Sequence, residues 1–210
     1  MFKILMVDDH AMVRRGLRAI LEDELREVEV KEAGTAQEGL SMLREYPADT
    51  VVLDIGLPDR SGLDLLKRIR QEWPKLPVLI LSMYSEDQYG LRMMRAGASG
   101  YLTKGSAAEN LVFAVKKILG GGRYVSPTLA EKMAAHLSGD MEEEPYQLLS
   151  DREYQVFRMI ASGKTVSEIA KELCLSVKTI STHRARVLEK TGMKNNAELT
   201  HYAMAKGLVD

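Results

Sequence analysis

Two domains are predicted: an α/β domain whose five-stranded parallel sheet is doubly wound by helices, then a small all-α domain of four helices. Three observations lead there. The runs Ile4-Leu5-Met6-Val7, Val51-Val52-Leu53 and Val78-Leu79-Ile80-Leu81 are apolar without alternation, the pattern of strands buried on both faces of a parallel sheet. Helical periodicities fill the intervals between them, as βαβ crossovers require. From Ser150 onward every signal is helical.

The first strand stops at Asp8-Asp9, and Val13, Leu17, Ile20 and Leu21 then recur at helical spacing. Val28–Ala33 reads as the second strand, with Ala36, Leu40 and Leu43 as the apolar face of the next helix. The third strand ends at Asp54, and Leu63, Leu66 and Ile69 mark a helix that Pro74 stops. The fourth ends at Ser82 and leads to a helix carried by Leu91 and Met94, with Met93 beside them, closing at Gly97. Tyr101-Leu102 is a short fifth strand that leads through Thr103 to Lys104. Leu111, Val115, Ile118 and Leu119 mark the helix after it, stopped by Gly120-Gly121-Gly122.

Pro127 to Leu137 reads as a short helix with Ser126 as N-cap and Pro127 at its first position. Ser138-Gly139-Asp140 and Glu142-Glu143-Glu144-Pro145 form an acidic linker with few structural signals. Beyond it the helix ends are legible. Ser150-Asp151-Arg152-Glu153 and Thr165-Val166-Ser167-Glu168 are capping boxes, and Gly163 closes the first of these helices. Ser176 caps a third helix that runs to about Thr191 with Gly192 as its break, and a fourth runs from about Asn196 to Lys206. Only Cys174-Leu175-Ser176 separates the second from the third, which is helix-turn-helix spacing. The expected bounds are 1–122 for the α/β domain, 123–145 for the linker and 146–210 for the helical domain.

At 210 residues the chain has room for two small cores. Cys174 is the single cysteine, so no intramolecular disulfide forms, and a reducing compartment is expected. No apolar run approaches the ~20 residues of a membrane span, and no secretory layout opens the chain, so a cytoplasmic protein without a membrane partner is expected. The net charge of −1 conceals a split: residues 146–210 hold 10 basic against 7 acidic side chains, whereas 123–145 hold 2 against 5. A basic end of this kind points toward nucleic acid, although a solvated surface has the same composition.

Parallel strands finish on one edge, and ligands of open α/β sheets bind outside that edge. Here it gathers Asp8, Asp9, Asp54, Ser82 and Lys104. Paired carboxylates facing a third suit Mg²⁺, a hard cation that takes oxygen ligands. The cation and a lysine then neutralise a phosphoryl group transferred to Asp54, and the Ser82 hydroxyl hydrogen-bonds its oxygen. Each residue alone also reads as a helix cap, a turn former or a solvated loop residue. Their coincidence at the ends of strands one, three, four and five favours the site.

On a helical wheel of Val177 to Thr191, Ile180, His183 and Val187 share one side. Lys178, Thr182, Ala185 and Glu189 lie opposite, flanked by Ser181 and Arg186. Such a face can enter a major groove, and a solvated amphipathic helix presents the same one. His183 has no second histidine at metal spacing and reads as a packed structural residue.

The sequence resembles the two-component response regulators of the NarL/FixJ class, with a CheY-like, flavodoxin-fold receiver followed by a LuxR-type helix-turn-helix. The second part of the resemblance rests on Leu149-Ser150-Asp151-Arg152-Glu153, Gly163, Glu168-Ile169-Ala170, Leu175-Ser176, Thr179-Ile180, His183, Val187 and Lys190 in order and spacing. It implies that Asp54 is the phospho-acceptor and that Asp8, Asp9 and the Gly56 carbonyl join it in holding Mg²⁺. Ser82 resembles the switch hydroxyl, Lys104 the phosphate-binding lysine, Tyr101 the aromatic that moves with the switch, and Pro58 the proline of the acceptor loop. The base-reading surface would be Lys178, Ser181, Thr182 and Ala185, with Lys164, Thr179, Arg186 and Lys190 on phosphates. The family implies a sensor histidine kinase, double-stranded promoter DNA, a second copy of the chain and RNA polymerase as partners, and no enzymatic role.

The chain departs from the family in places. Gly105 stands where many receivers carry proline, implying a more mobile loop, and Met83 where many carry Ala or Gly, implying narrower access to Asp54. Val166 replaces the common Asn and Thr191 the usual Leu. Two other classes compete. Aspartyl-phosphate phosphatases carry a second Asp two residues after the nucleophile, where this chain has Gly56. A phosphorylation-dependent adaptor would show no salt-dependent duplex binding.

Overall fold

The computed structural model describes residues 1–137 and 144–209. Of the acidic linker expected over 138–145, residues 138–143 lie outside the described residues, and Pro145 opens a 3₁₀ turn, Pro145–Leu148. The chain falls into two compact units, Met1–Met133 and Ala134–Asp210.

In the first unit, strands and helices alternate: β1 (Phe2–Val7), α1 (Ala11–Glu24), β2 (Val28–Ala33), α2 (Ala36–Glu45), β3 (Thr50–Asp54), α3 (Gly62–Glu72), β4 (Val78–Ser82), α4 (Glu86–Arg95), β5 (Gly100–Thr103) and α5 (Ala107–Leu119). The sheet has order β2-β1-β3-β4-β5 with every pairing parallel. The apolar runs are fully covered because helices lie on both faces. Ile4, Met6, Val52, Leu79 and Leu81 form one core cluster with Leu17 and Leu21 of α1 and Leu111, Val115 and Ile118 of α5. The alternate strand residues Leu5, Val51 and Leu53 are equally buried, as are Leu40 of α2 and Leu66 and Ile69 of α3. Each such side chain contributes about 1.5–3 kcal/mol by leaving water.

Register brings the strand ends level: Val7 pairs with Leu53, Asp54 with Leu81 and Ser82 with Thr103. The loop from β3 to α3 is closed tightly. The Gly62 amide donates to the Ile55 carbonyl at 3.0 Å, and a Cβ at Gly62 would overlap the Asp54 carbonyl oxygen. Asp59 in that loop accepts from the Ala36 and Gln37 amides at 2.9 and 3.0 Å, tying the loop to the first turn of α2.

After α5, the helix α6 spans Pro127–Leu137. The second unit then holds α7 (Asp151–Ala161), α8 (Val166–Glu172), α9 (Val177–Thr191) and α10 (Asn196–Ala205). Both capping boxes form, with Ser150 N–H donating to Glu153 Oε2 at 2.8 Å and Thr165 N–H to Glu168 Oε2 at 2.7 Å. The turn between α8 and α9 places Cys174 in the left-handed region at φ 53°, a conformation that a non-glycine residue adopts only at some cost. Ile180 and Val187 of α9 are buried, and Tyr154, Phe157, Ile169 and Leu199 complete the core of this unit.

Candidate functional site

The sheet edge builds one compact charged site. Asp8 and Asp54 leave adjacent strands, and Lys104, carried one residue past β5, reaches between them. Its Nζ lies 2.8 Å from Asp54 Oδ2 and 2.7 Å from Asp8 Oδ2, with the lysine side chain 6% exposed and the two carboxylates 5% and 1%. The contact to Asp54 is a hydrogen bond. The contact to Asp8 Oδ2 is an ion pair outside hydrogen-bonding angles, so this buried oxygen has no hydrogen-bond donor among the described residues. Asp54 Oδ1 accepts the Gly56 amide at 3.2 Å.

Burial pushes the Asp54 carboxyl up from its ordinary value. The hydrogen bond and charge of Lys104 oppose that, the neighbouring Asp8 charge adds to it, and the Gly56 amide opposes it again; burial prevails. Burial lowers Lys104, yet its hydrogen bond to Asp54 and its pairing with both carboxylates outweigh that and hold the ammonium above its ordinary value. Two buried carboxylates therefore share one ammonium, and the site is short of positive charge.

Asp9 completes the acidic group together with a residue that sequence reasoning missed, His10. Its Nδ1 lies 2.7 Å from Asp9 Oδ1 and 3.2 Å from Asp8 Oδ1, and its amide donates to Asp8 Oδ1 at 2.8 Å. One ligand atom from each of Asp8, Asp9, His10 and Asp54 lies within 4.8 Å of the others. The only available signal was its place directly after the acidic pair. Arg14 of α1, also unforeseen, donates to the Asp8 carbonyl and pairs with Glu32 at 3.1 Å.

The remaining residues singled out at this edge stand around that group. Ser82 is fully buried, and its Oγ accepts the Tyr84 amide at 3.0 Å. Tyr101 is also fully buried and donates its hydroxyl to the Tyr84 carbonyl at 2.8 Å. Gly56 is exposed beside Asp54, with its amide turned to the carboxylate. Met83 follows the last residue of β4 and is 75% exposed. Gly105 lies in a single 3₁₀ turn, Lys104–Ser106, closed by Thr103 Oγ1 and Ser106 Oγ at 2.8 Å.

In the second unit, α9 presents Lys178, Ser181, Thr182, Ala185 and Arg186 as exposed residues, with Thr179 half-buried. The hydroxyl of Thr182 donates back to the Lys178 carbonyl at 3.0 Å, and Thr179 Oγ1 lies 2.8 Å from the capping Ser176 Oγ. Two expected phosphate-facing lysines have internal partners. Lys164 Nζ is 2.5 Å from Glu172 Oε2, and Lys190 Nζ is 2.7 Å from Oε2 of the buried Glu153. Both lysines came from position in the family pattern, which carries no sign of these pairings. His183 is half-buried, its Nδ1 has no hydrogen-bond partner among the described residues, and burial, followed by the charge of Arg152, lowers its pKa, which fits a packed structural role.

Residues 4–116 match the response regulator receiver domain family, and residues 147–203 match the luxR family of bacterial regulatory proteins. The chain is 36% identical over 211 residues to the response regulator GacA of Pseudomonas aeruginosa, covering 100% of this chain and 99% of that one. It is 35% identical over 209 residues to the response regulator UvrY of Escherichia coli strain K12, covering 99% and 96%. Among solved structures it resembles RcsB from Salmonella enterica serovar Typhimurium bound to promoter rprA in the presence of the phosphomimetic BeF3⁻. That match has a TM-score of 0.68 and 28% identity, over 98% of this chain and 100% of that one.

Proposed function

The chain belongs to the NarL/FixJ class of two-component response regulators, a class of regulatory proteins rather than enzymes, and from that premise we propose that Asp54 is its phosphoryl acceptor. A sensor histidine kinase is the donor. A phosphorus–nitrogen bond on the kinase histidine breaks as a phosphorus–oxygen bond to Asp54 forms. The observation that carries this reading is the shared lysine: Nζ of Lys104 lies within 2.8 Å of carboxylate oxygens on both Asp54 and Asp8. A phosphoryl group on Asp54 would find that ammonium in reach, with the Ser82 hydroxyl beside it.

The residues fit a hard divalent cation. Asp8 Oδ2 is buried without a hydrogen bond, and Asp9 and Asp54 bring further carboxylate oxygens close to it. Asp8, Asp9, Asp54 and the Gly56 carbonyl would hold Mg²⁺. The chemistry a bound Mg²⁺ supplies there is neutralisation of charge on the phosphoryl oxygens. Ser82 and Tyr101 are the switch residues on this reading: the hydroxyl leaves the Tyr84 amide for a phosphoryl oxygen, and Tyr101 moves with the Tyr84 carbonyl. The equilibrium between two receiver surfaces is thereby biased by phosphorylation. Gly56 offers no acid–base side chain two residues after Asp54, which favours a held phosphoryl group over a phosphatase.

The output is DNA binding by the helix-turn-helix, within residues 146–210, as a homodimer acting on promoters in the cytoplasm, with RNA polymerase as a further contact. Lys178, Ser181, Thr182 and Ala185 are the proposed base-reading surface. Lys164, Thr179, Arg186 and Lys190 are proposed for phosphates. Of these, Lys164 leaves an exposed partner cheaply, whereas Lys190 would strand a buried one. The receiver, residues 1–122, and the linker, 123–145, set when this happens.

The decisive experiment selects bound sequences from random duplex DNA with and without an acyl-phosphate donor and Mg²⁺, measuring dimer state on the same samples. We expect phosphorylation to sharpen sequence selection in the wild type and to change nothing in Asp54→Asn. If the phosphorylated protein selected no sequence, the regulator reading would fail. Binding should weaken with salt as phosphate contacts release counterions.

A further inference from the structure

The beginning of α4 carries a surface on which α6 is docked. The approach starts at the sheet edge. Tyr124 donates its amide to the Ser99 carbonyl at 3.0 Å and accepts the Tyr101 amide at 3.1 Å, so the chain leaving α5 runs parallel beside β5. Ser126 then caps α6 by accepting the Leu129 amide at 3.1 Å, and its hydroxyl donates to Glu86 at the start of α4. Leu129 is 1% exposed and fills the notch left by Gly90, where a Cβ would come 2.9 Å from Leu129 Cδ1. Lys132 Nζ lies 2.5 Å from Asp87 Oδ1. Residues three apart share a helix face, so Ser126, Leu129 and Lys132 present a hydroxyl, an apolar side chain and a charge along one edge of α6. Glycine inside a helix is unfavourable relative to alanine, and here its absent side chain is what admits Leu129.

The same surface is bonded to the acceptor site. Ser82 Oγ holds the Tyr84 amide, and the Tyr84 carbonyl holds the Tyr101 hydroxyl, two residues before α4 begins. Tyr101 thus reaches the segment before α4 with its side chain and the stretch before α6 with its main chain.

We propose that α4 residues Glu86, Asp87 and Gly90 are the docking surface for the chain's own linker helix, and that phosphorylation of Asp54 releases α6 from it. This rests on Asp54 being the acceptor. When Ser82 Oγ turns to a phosphoryl oxygen, the Tyr84 amide loses its acceptor and Tyr101 follows the displaced carbonyl. The bridge at Tyr124 and the start of α4 are disturbed together, because one tyrosine is bonded both to the Tyr124 carbonyl and to the segment that leads into α4. The unmodified chain keeps α6 docked; the phosphorylated chain frees it.

Amide hydrogen exchange on the full chain tests this, with and without Mg²⁺ and beryllofluoride as the phosphoryl mimic. In the wild type, the mimic should speed exchange in residues 127–133 about tenfold. Gly90→Ala, which favours the α4 helix but fills the notch, should give that increase without the mimic, as should Leu129→Ala, which empties it. If the mimic altered exchange at 83–86 but left 127–133 unchanged, the docking would be static and the inference overturned, while Asp54 would stand as acceptor. If the mimic altered nothing while both variants loosened α6, the regulation would fall together with the acceptor reading. If neither variant loosened α6, the docking surface itself would be refuted.

Discussion

Each unit contains a buried carboxylate paired with a lysine, and the two pairs end in opposite electrostatic states. Burial pushes the Glu153 carboxyl up, but its bonds to Lys190 and to Ser150 outweigh that and hold it below the usual range. One carboxylate there has one ammonium at 2.7 Å and a backbone amide at 2.8 Å on the same oxygen. At the receiver edge, Lys104 is divided between Asp54 and Asp8, with Asp9 beside them, and burial of Asp54 is not overcome. The residue types are the same; the number of donors per carboxylate differs. A satisfied carboxylate fastens two helices. An undersupplied one has oxygens that a cation would complete, at a cost in stability that the rest of the receiver core must offset.

The contrast is tested most severely at Lys104. Lys104→Met leaves two buried carboxylates facing each other, and the receiver should lose about 3 kcal/mol of unfolding free energy. Trp73, the single tryptophan, lies in the receiver and reports its urea transition separately from the helical unit. Adding Asp54→Asn should recover part of the loss; no recovery would show that the lysine acts by packing and not by charge.

Next in size is Glu153→Gln, which should cost the helical unit about 2 kcal/mol at pH 7 through the weakened cap and the lost ion pair. The folded carboxyl is depressed, so this stabilisation is complete above the ordinary carboxyl value of 4.5 and is lost as pH falls through the folded value. Far-ultraviolet ellipticity should therefore show the wild type and the variant converging on acidification. A gap that stayed constant as the pH fell to full protonation of the carboxyl would remove the electrostatic half of the comparison.

The smallest effect sharpens the contrast by its location. Mg²⁺ at ten times its dissociation constant should stabilise the receiver by about 1.4 kcal/mol and leave the helical unit unchanged. Trp73 fluorescence and ellipticity measured together decide this, and equal shifts in both transitions would erase the asymmetry.

Asp8, Asp54, Ser82 and Lys104 were legible in the sequence because each sits at or just past a strand end, and parallel strands finish on one edge. The helix caps at Ser150, Thr165 and Ser176 were legible for a similar reason, since a cap bonds within three residues of itself. What escaped depends on partners far along the chain or on loop geometry. Asp59 bonds to the start of α2 more than twenty residues earlier. Lys190 lies next to His183 around its helix, yet nothing local shows that its long stem carries the ammonium to Glu153, 37 residues away. His10 follows the acidic pair, but only the path of the chain into α1 turns its imidazole back toward the carboxylates. The pairing of Tyr124 beside β5 gave no periodic signal at all, since a single bridge has no period.

Gly62 imposes a limit on which sequences can keep this site. Its α-carbon stands against the Asp54 carbonyl so closely that no side chain can be built there without displacing the acceptor strand or α3. Any of the other nineteen amino acids would push on Asp54 from behind, through its backbone. The position must therefore tolerate substitution as poorly as a reacting group, although it has no functional group to lose. A mutational scan scored by activity would rank Gly62 beside Asp54, and only a structure separates the residue that reacts from the residue whose missing atoms leave it room.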